Sequence, residues 1–254
     1  MIANSGSNEI GTLYGGEPGD QTGAEWRVRP WYSCPWWVVL RHPDQALALE
    51  AATLARHAAA NDCIGYNQIN RMSLWRALEA TGTYDPADIT DSCDGDCSAG
   101  VTAVWKAAGI RLGDERLATL DPGTYTGNLR SRFMAAGFQA LSSAEYLDSD
   151  ELLMPGDVLL RDGYHTAINL DVGGGVTDWN PENKEDKLND EQNAALMQLL
   201  RTDDPSGRGC TGSNIVDRVA WLGKKTDDIL ENQKTLGTKL DAIVKKLDAC
   251  LTKE

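Results

Sequence analysis

Between Asp44 and Trp179 the chain changes its hydrophobic period once, and that change limits the folds open to it. Asp44 to Asn61 reads DQALALEAATLARHAAAN, an Ala/Leu-rich run with helical spacing. A second helix is predicted over about Asn70 to Ala80, stopped by Gly82 and Pro86. The polar run Asp91-Ser-Cys-Asp-Gly-Asp-Cys97 leads into Ser98 to Gly109, a third helix that Asp94 or Asp96 caps at its start and Gly109 ends. Tyr125 to Ala136, closed by Gly137, fits a fourth. Then alternation takes over. Asp157 to Arg161 is a strand, Asp162-Gly163 a hairpin turn, His165 to Asp171 the partner strand. Gly173-Gly-Gly175 turns again, and Val176 to Trp179 is expected as a third strand. Helices first and an antiparallel sheet afterwards predict an α+β domain.

The flanks differ from this middle. Residues 1–24 are rich in Gly, Ser, Asn and Asp and read as loop, and Glu25 to Leu40 is an aromatic strand-and-turn segment with four tryptophans. Beyond Asn180 the chain turns polar, with a helix expected from Asp190 to Leu200 and a linker over 201–213. From Ile215 through Val219, Leu222, Thr226, Ile229, Gln233, Leu236, Leu240, Ile243 and Leu247 to Cys250, steps of four and three alternate without a break. That is the seam of a coiled coil, weakened by Gly223 and Gly237; an amphipathic helix packed on the domain is the competing reading. The expected organisation is one domain over 1–200, a linker over 201–213 and a coiled-coil helix over 214–254, with homo-oligomerisation through residues 215–250.

Charge removes some functions. With 38 acidic and 24 basic residues the net charge is −14, which repels phosphate backbones and acidic membrane surfaces. No nucleic-acid or membrane partner is expected, whereas a neutral or mixed polymer is compatible. The start, Met1-Ile-Ala-Asn-Ser-Gly, has neither basic cluster nor apolar run, so no signal peptide is read and synthesis in a cytosol is expected. Six cysteines at scattered spacing do not form a disulfide framework.

Cys97 stands at a predicted helix start, where the helix dipole and free N–H groups favour a thiolate and can later hold an oxyanion. The small residues Ser98, Ala99 and Gly100 are expected to leave room for substrate. A buried structural cysteine is the plain alternative. A nucleophile needs a base, and His165, opening a strand after a tight turn, is the best placed of three histidines. A third polar group should orient the imidazole: Asp178 on the expected next strand is preferred, Asn180 on the same face is next, and Asn169 and Asp171 rank lower. Cys93, Cys97 and His165 lack a fourth ligand for structural zinc, and Asp91, Asp94 and Asp96 do not match an EF-hand loop. No metal or cofactor is therefore expected.

The succession Asp96-Cys97-Ser98 at a helix start, Pro155-Gly-Asp-Val-Leu-Leu160, His165-Thr-Ala-Ile and Val176-Thr-Asp-Trp-Asn180 resembles the NlpC-like and CHAP-like papain-fold peptidoglycan hydrolases. Within them it is most similar to the bacteriophage amidase group typified by phage lysins. Gly19 to Gly23, Trp31-Tyr32, Leu40-Arg-His-Pro43 and Ile64 to Arg71 add to the likeness, which covers about residues 8–182. The resemblance implies a papain-like fold, peptidoglycan as substrate and catalytic roles for Cys97 and His165, with Asp178 at the variable third position. It also implies that Tyr66 corresponds to an upstream tyrosine near the nucleophile. The implied reaction is cleavage of the N-acetylmuramoyl-L-alanine amide, with a stem- or bridge-peptide endopeptidase as the alternative, and action on the cell wall after release or from the virion. A phage tail or assembly protein, or a cysteine protease acting on protein, are the readings from other classes. The tryptophans at 26, 31, 36 and 37 are read mainly as core rather than as a sugar-binding face.

Overall fold

The structure is a computed structural model and describes residues 1–181. Its chain order is β1 (Ile2–Ser5), β2 (Trp26–Arg29), β3 (Val38–Arg41), α1 (Gln45–Ala60), β4 (Ile64–Tyr66), α2 (Ser73–Thr81), β5 (Cys93–Gly95), α3 (Cys97–Leu112), α4 (Glu115–Ala118), α5 (Leu129–Ala135), β6 (Gln139–Leu141), α6 (Ala144–Leu147), β7 (Val158–Arg161) and β8 (His165–Asn169). The α+β expectation holds. The main sheet is antiparallel in the order β2-β1-β8-β7-β3-β6, and β4 and β5 form a small parallel pair.

The helices form where the sequence caps them. The Asp44 carboxylate accepts the N–H groups of Ala46 and Leu47 to start α1, and the Asp96 carboxylate accepts the N–H of Ala99 to start α3. Helix α3 is buried over nearly its whole surface, which its run of Ala, Gly and Val permits. It runs on past Gly109 to a left-handed Gly113 cap, because Gly109 lies inside the helix at a close approach: a Cβ there would stand 2.4 Å from Leu117 Cβ.

Alternate residues of the sheet serve two cores, as strand geometry requires. Ala3, Val38, Leu40, Val158, Leu160 and Ile168 pack in one cluster with the buried faces of α1 and α3. Ile2, Val39, Leu159 and Ala167 pack in a second one with Trp36 and Leu153.

Two expectations are corrected. The first residues are not all loop, since β1 lies second in the sheet, between β2 and β8. Residues 176–179 form no strand. The edge of β8 they were expected to fill is taken by β1, with Ile2 opposite Asn169 and Ala3 opposite Ile168. The chain after β8 instead folds over residues 151–153, where Gly173 N–H and Gly175 N–H donate to the carbonyls of Leu153 and Glu151. The helix over 190–200, the linker and the coiled coil lie outside the described residues.

Candidate active site

Cys97 is the first residue of α3, held there by the cap. Asp96 is itself fixed: its carboxylate accepts from Ser98 Oγ at 2.8 Å and Ala99 N at 2.7 Å, and it forms an ion pair with Arg71 at 3.1 Å. The Cys97 sulfur accepts the backbone N–H groups of Thr166 and Ser98. It therefore sits against the start of β8, beside the residue that follows His165. Beyond Ala3 and Ile168 the ladder between β1 and β8 is not continued, so the Thr166 N–H is open to the thiol.

The electrostatics differ from the thiolate expected at a helix start. Burial, with the Asp96 carboxylate adding to it, pushes the Cys97 thiol up to about 12. Cys97 is only 6 % exposed, and the two N–H groups and Arg71 do not offset the loss of water. Ser98, Ala99 and Gly100 are buried too. Gly100 makes room for protein rather than substrate, because a Cβ there would stand 1.7 Å from the Trp26 ring.

His165 opens β8 opposite Arg161, across a hairpin whose Gly163 has φ +70°. Its ring stacks on Trp36 with centroids 5.9 Å apart. Burial, with the Arg29 guanidinium adding to it, pulls its pKa down to about 4, so the imidazole is neutral at ordinary pH. Its Nε2 lies 3.2 Å from the Asn4 amide nitrogen, which also donates to the Tyr32 hydroxyl at 3.4 Å. Asn4 is buried and its Oδ1 has no partner.

Asn4 is the residue that sequence reading missed. It occupies the place given to Asp178, a polar side chain on the strand beside β8. Asp178 itself is exposed, and its carbonyl accepts from Gln45 Nε2 at the start of α1, while the Asn180 N–H donates to Gln45 Oε1. Gln45 follows β3 at its Arg41 end, where Arg41 pairs with Asp157 and Asp157 meets Asn169. His165 is at the other end of β8, roughly 13 Å away at about 3.3 Å per residue. Asn169 is buried and bonded to the carbonyls of Met154 and Asp171 at that same far end, and Asp171 pairs there with Arg56. The structure brings none of these to the imidazole.

Tyr66 ends β4 and is buried. Its phenol is pushed above its usual range by burial and then by the nearby Cys97 sulfur, so the tyrosine does stand near that cysteine. Gln68 Nε2 donates to its hydroxyl at 3.1 Å. Its backbone N–H is accepted by the buried Glu25 carboxylate at 2.8 Å.

A cleft of about 350 Å³ opens on the sheet face that carries His165. Its wall includes Asn4, Glu25, Arg27, Arg29, Tyr32 and His165, together with residues 6–8. Cys97 does not belong to that wall. Trp26 and Trp36 are core residues, Trp31 is partly buried, and Trp37 is half exposed. Among the described residues no group of three or more His, Cys, Asp or Glu is arranged to hold a metal ion, and no helix is long and apolar enough to cross a membrane.

No curated protein and no previously solved structure matches the chain. One family model does, that of the endolysin-like domain, over residues 2–176. That span starts with β1 and runs past β8, so it takes in the whole sheet together with Cys97, His165 and the cleft. The chain thus belongs to the endolysin-like domain family, a membership that supports a phage cell-wall lytic function.

Proposed function

We propose that this chain is a phage endolysin-type peptidoglycan hydrolase of papain-like architecture, cleaving the N-acetylmuramoyl-L-alanine amide with Cys97 as nucleophile and His165 as base. One observation carries the reading. A cysteine at the start of a buried helix has its sulfur on the N–H of Thr166, the residue that follows His165 in the chain, and the His165 imidazole is anchored by a buried amide in the lining of an open cleft.

The resting pair is a neutral thiol and a neutral imidazole, so the chemistry is general-base assisted rather than that of a preformed ion pair. With the Asn4 amide turned so that Oδ1 faces the ring, Oδ1 accepts from Nε2–H, and the Nδ1 lone pair is left bare to take the Cys97 proton. The sulfur attacks the carbonyl carbon, and the negative charge is met by N–H groups at the α3 terminus and by the Thr166 N–H. The imidazolium returns its proton to the leaving amine as the C–N bond breaks. Water then hydrolyses the thioester. Because the thiol is buried and lies outside the cleft lining, productive binding on this reading also requires a local movement that exposes it.

Digestion of purified sacculi followed by mass spectrometry tests this. New N-terminal alanine is the expected product. New ends within the stem or bridge make the enzyme an endopeptidase, and absence of any product favours the tail or assembly protein. Cys97→Ser is expected to abolish release while leaving the circular dichroism unchanged, and lysis that survives it would end the cysteine mechanism.

A further inference from the structure

The two arginines in the cleft have no role in the chemistry above, yet their placement is specific. Arg27 lies opposite Asn4 in the register of β1 and β2, and Arg29 opposite Ile2, so both are on the sheet face that carries Asn4. They are two residues apart on one strand, and both line the cleft beside His165. In a chain of net charge −14, neither has a carboxylate within ion-pair reach among the described residues, whereas Arg41, Arg56, Arg71, Arg111 and Arg130 all do. Glu25, the acid in the same cleft, does not neutralise them. Its carboxylate is buried and turned to the N–H groups of Tyr66 and Gln21. Arg29 lies with its guanidinium carbon 4.3 Å from the centre of the Tyr32 ring, a cation–π contact that helps position it in the cleft.

We infer that Arg27 and Arg29 form a subsite for a free carboxylate of the stem peptide, seating the scissile amide against His165. Guanidinium groups bind carboxylates through paired N–H donors, and two on adjacent same-face positions suit a chain with one carboxylate next to the cut. The wall peptide carries such groups on its glutamate residue. Binding has a second effect, because Arg29 is one cause of the low proton affinity of His165. A carboxylate that neutralises Arg29 makes the imidazole a stronger base once substrate is in place, so the base is activated by the substrate it serves.

This inference rests on the reading of the site given above, and its test separates the two. The probe is N-acetylmuramoyl-L-alanyl-D-glutamate, bound to the full-length Cys97→Ala chain and compared with the same compound bearing carboxamides in place of both glutamate carboxylates. The acid is expected to bind at least tenfold more tightly by calorimetry and to move the His165 titration upward in NMR. The carboxamide moves it little. Arg27→Gln/Arg29→Gln removes the preference, Arg27→Lys/Arg29→Lys keeps part of it, and in the active chain the glutamine pair raises KM on sacculi more than it lowers kcat. Equal binding of acid and carboxamide overturns the subsite, as does an equal response to inorganic phosphate. Wall lysis by Cys97→Ala overturns the catalytic reading instead, whatever the carboxylate result.

Discussion

Burial holds the His165 imidazole near 4 and the Cys97 thiol near 12, and the pH dependence expected of the proposed pair follows from those two values. A base that protonates near 4 remains competent through the mildly acidic range. The acidic limb of kcat/KM is therefore expected well below the ordinary histidine value of about 6.5. Arg29→Gln, by removing a positive neighbour, moves that limb upward. A limb near 6.5 in the unaltered enzyme means that His165 is not the base. The third partner is testable in the same assay. Asn4→Ala is expected to lower kcat about 10- to 100-fold with little change in KM, because the ring loses the anchor that fixes its tautomer. Asp178→Ala, at the far end of the sheet, is expected to leave both within twofold. Cys97 and His165 stand out as candidates in the sequence because one opens a capped helix and the other, one of three histidines, opens a strand after a tight turn. Asn4 was not, because Ile2-Ala-Asn-Ser is too short to display a period and is followed by a Gly- and Ser-rich stretch. Its proximity to His165 is a product of sheet order, since the two are 161 positions apart in the chain.

Among the elements, α1, α3 and the β7–β8 hairpin were each readable from caps, composition or the Asp162-Gly163 turn. The strand expected at 176–179 failed because alternation does not say which segment reaches a given edge, and β1 reached it. The Pro155-Gly-Asp-Val stretch shows why its aspartate is more than a loop residue. Asp157 is buried, accepts from Arg41 Nε at 2.9 Å and Nη2 at 2.6 Å, and also takes the Met154 N–H at 2.8 Å. Removing the acid strands a largely buried guanidinium. Asp157→Ala is expected to destabilise the domain by about 3–5 kcal/mol, measurable as a lower urea midpoint. Asp157→Ala/Arg41→Met removes both charges and is expected to recover part of the loss.

Over the whole molecule, the sequence divides into a domain whose sheet, helices and cleft lie within residues 1–181 and a tail whose spacing we propose to be an oligomer seam. The four-and-three spacing from Ile215 to Cys250 predicts a mass in solution that is a multiple of 27.6 kDa. Leu236→Asp/Leu240→Asp in the full chain is expected to bring the light-scattering mass to that of one chain. Several copies joined in this way gain avidity for an extended polymer. Lysis by that variant is therefore expected to fall mainly at low enzyme concentration. An unchanged mass in the variant means the repeat packs within one chain.

The adjacency of β1 and β8 also sets when the enzyme can exist. The pairing joins residues near position 3 to residues near position 168, so it closes after almost all of the domain has left the ribosome. A nascent chain halted before that point lacks both the His165 imidazole and the strand that brings it to the Asn4 amide. Such fragments are expected to be inert in a sacculus-lysis assay, with lytic capacity arriving only when translation has carried the last strand back to the first.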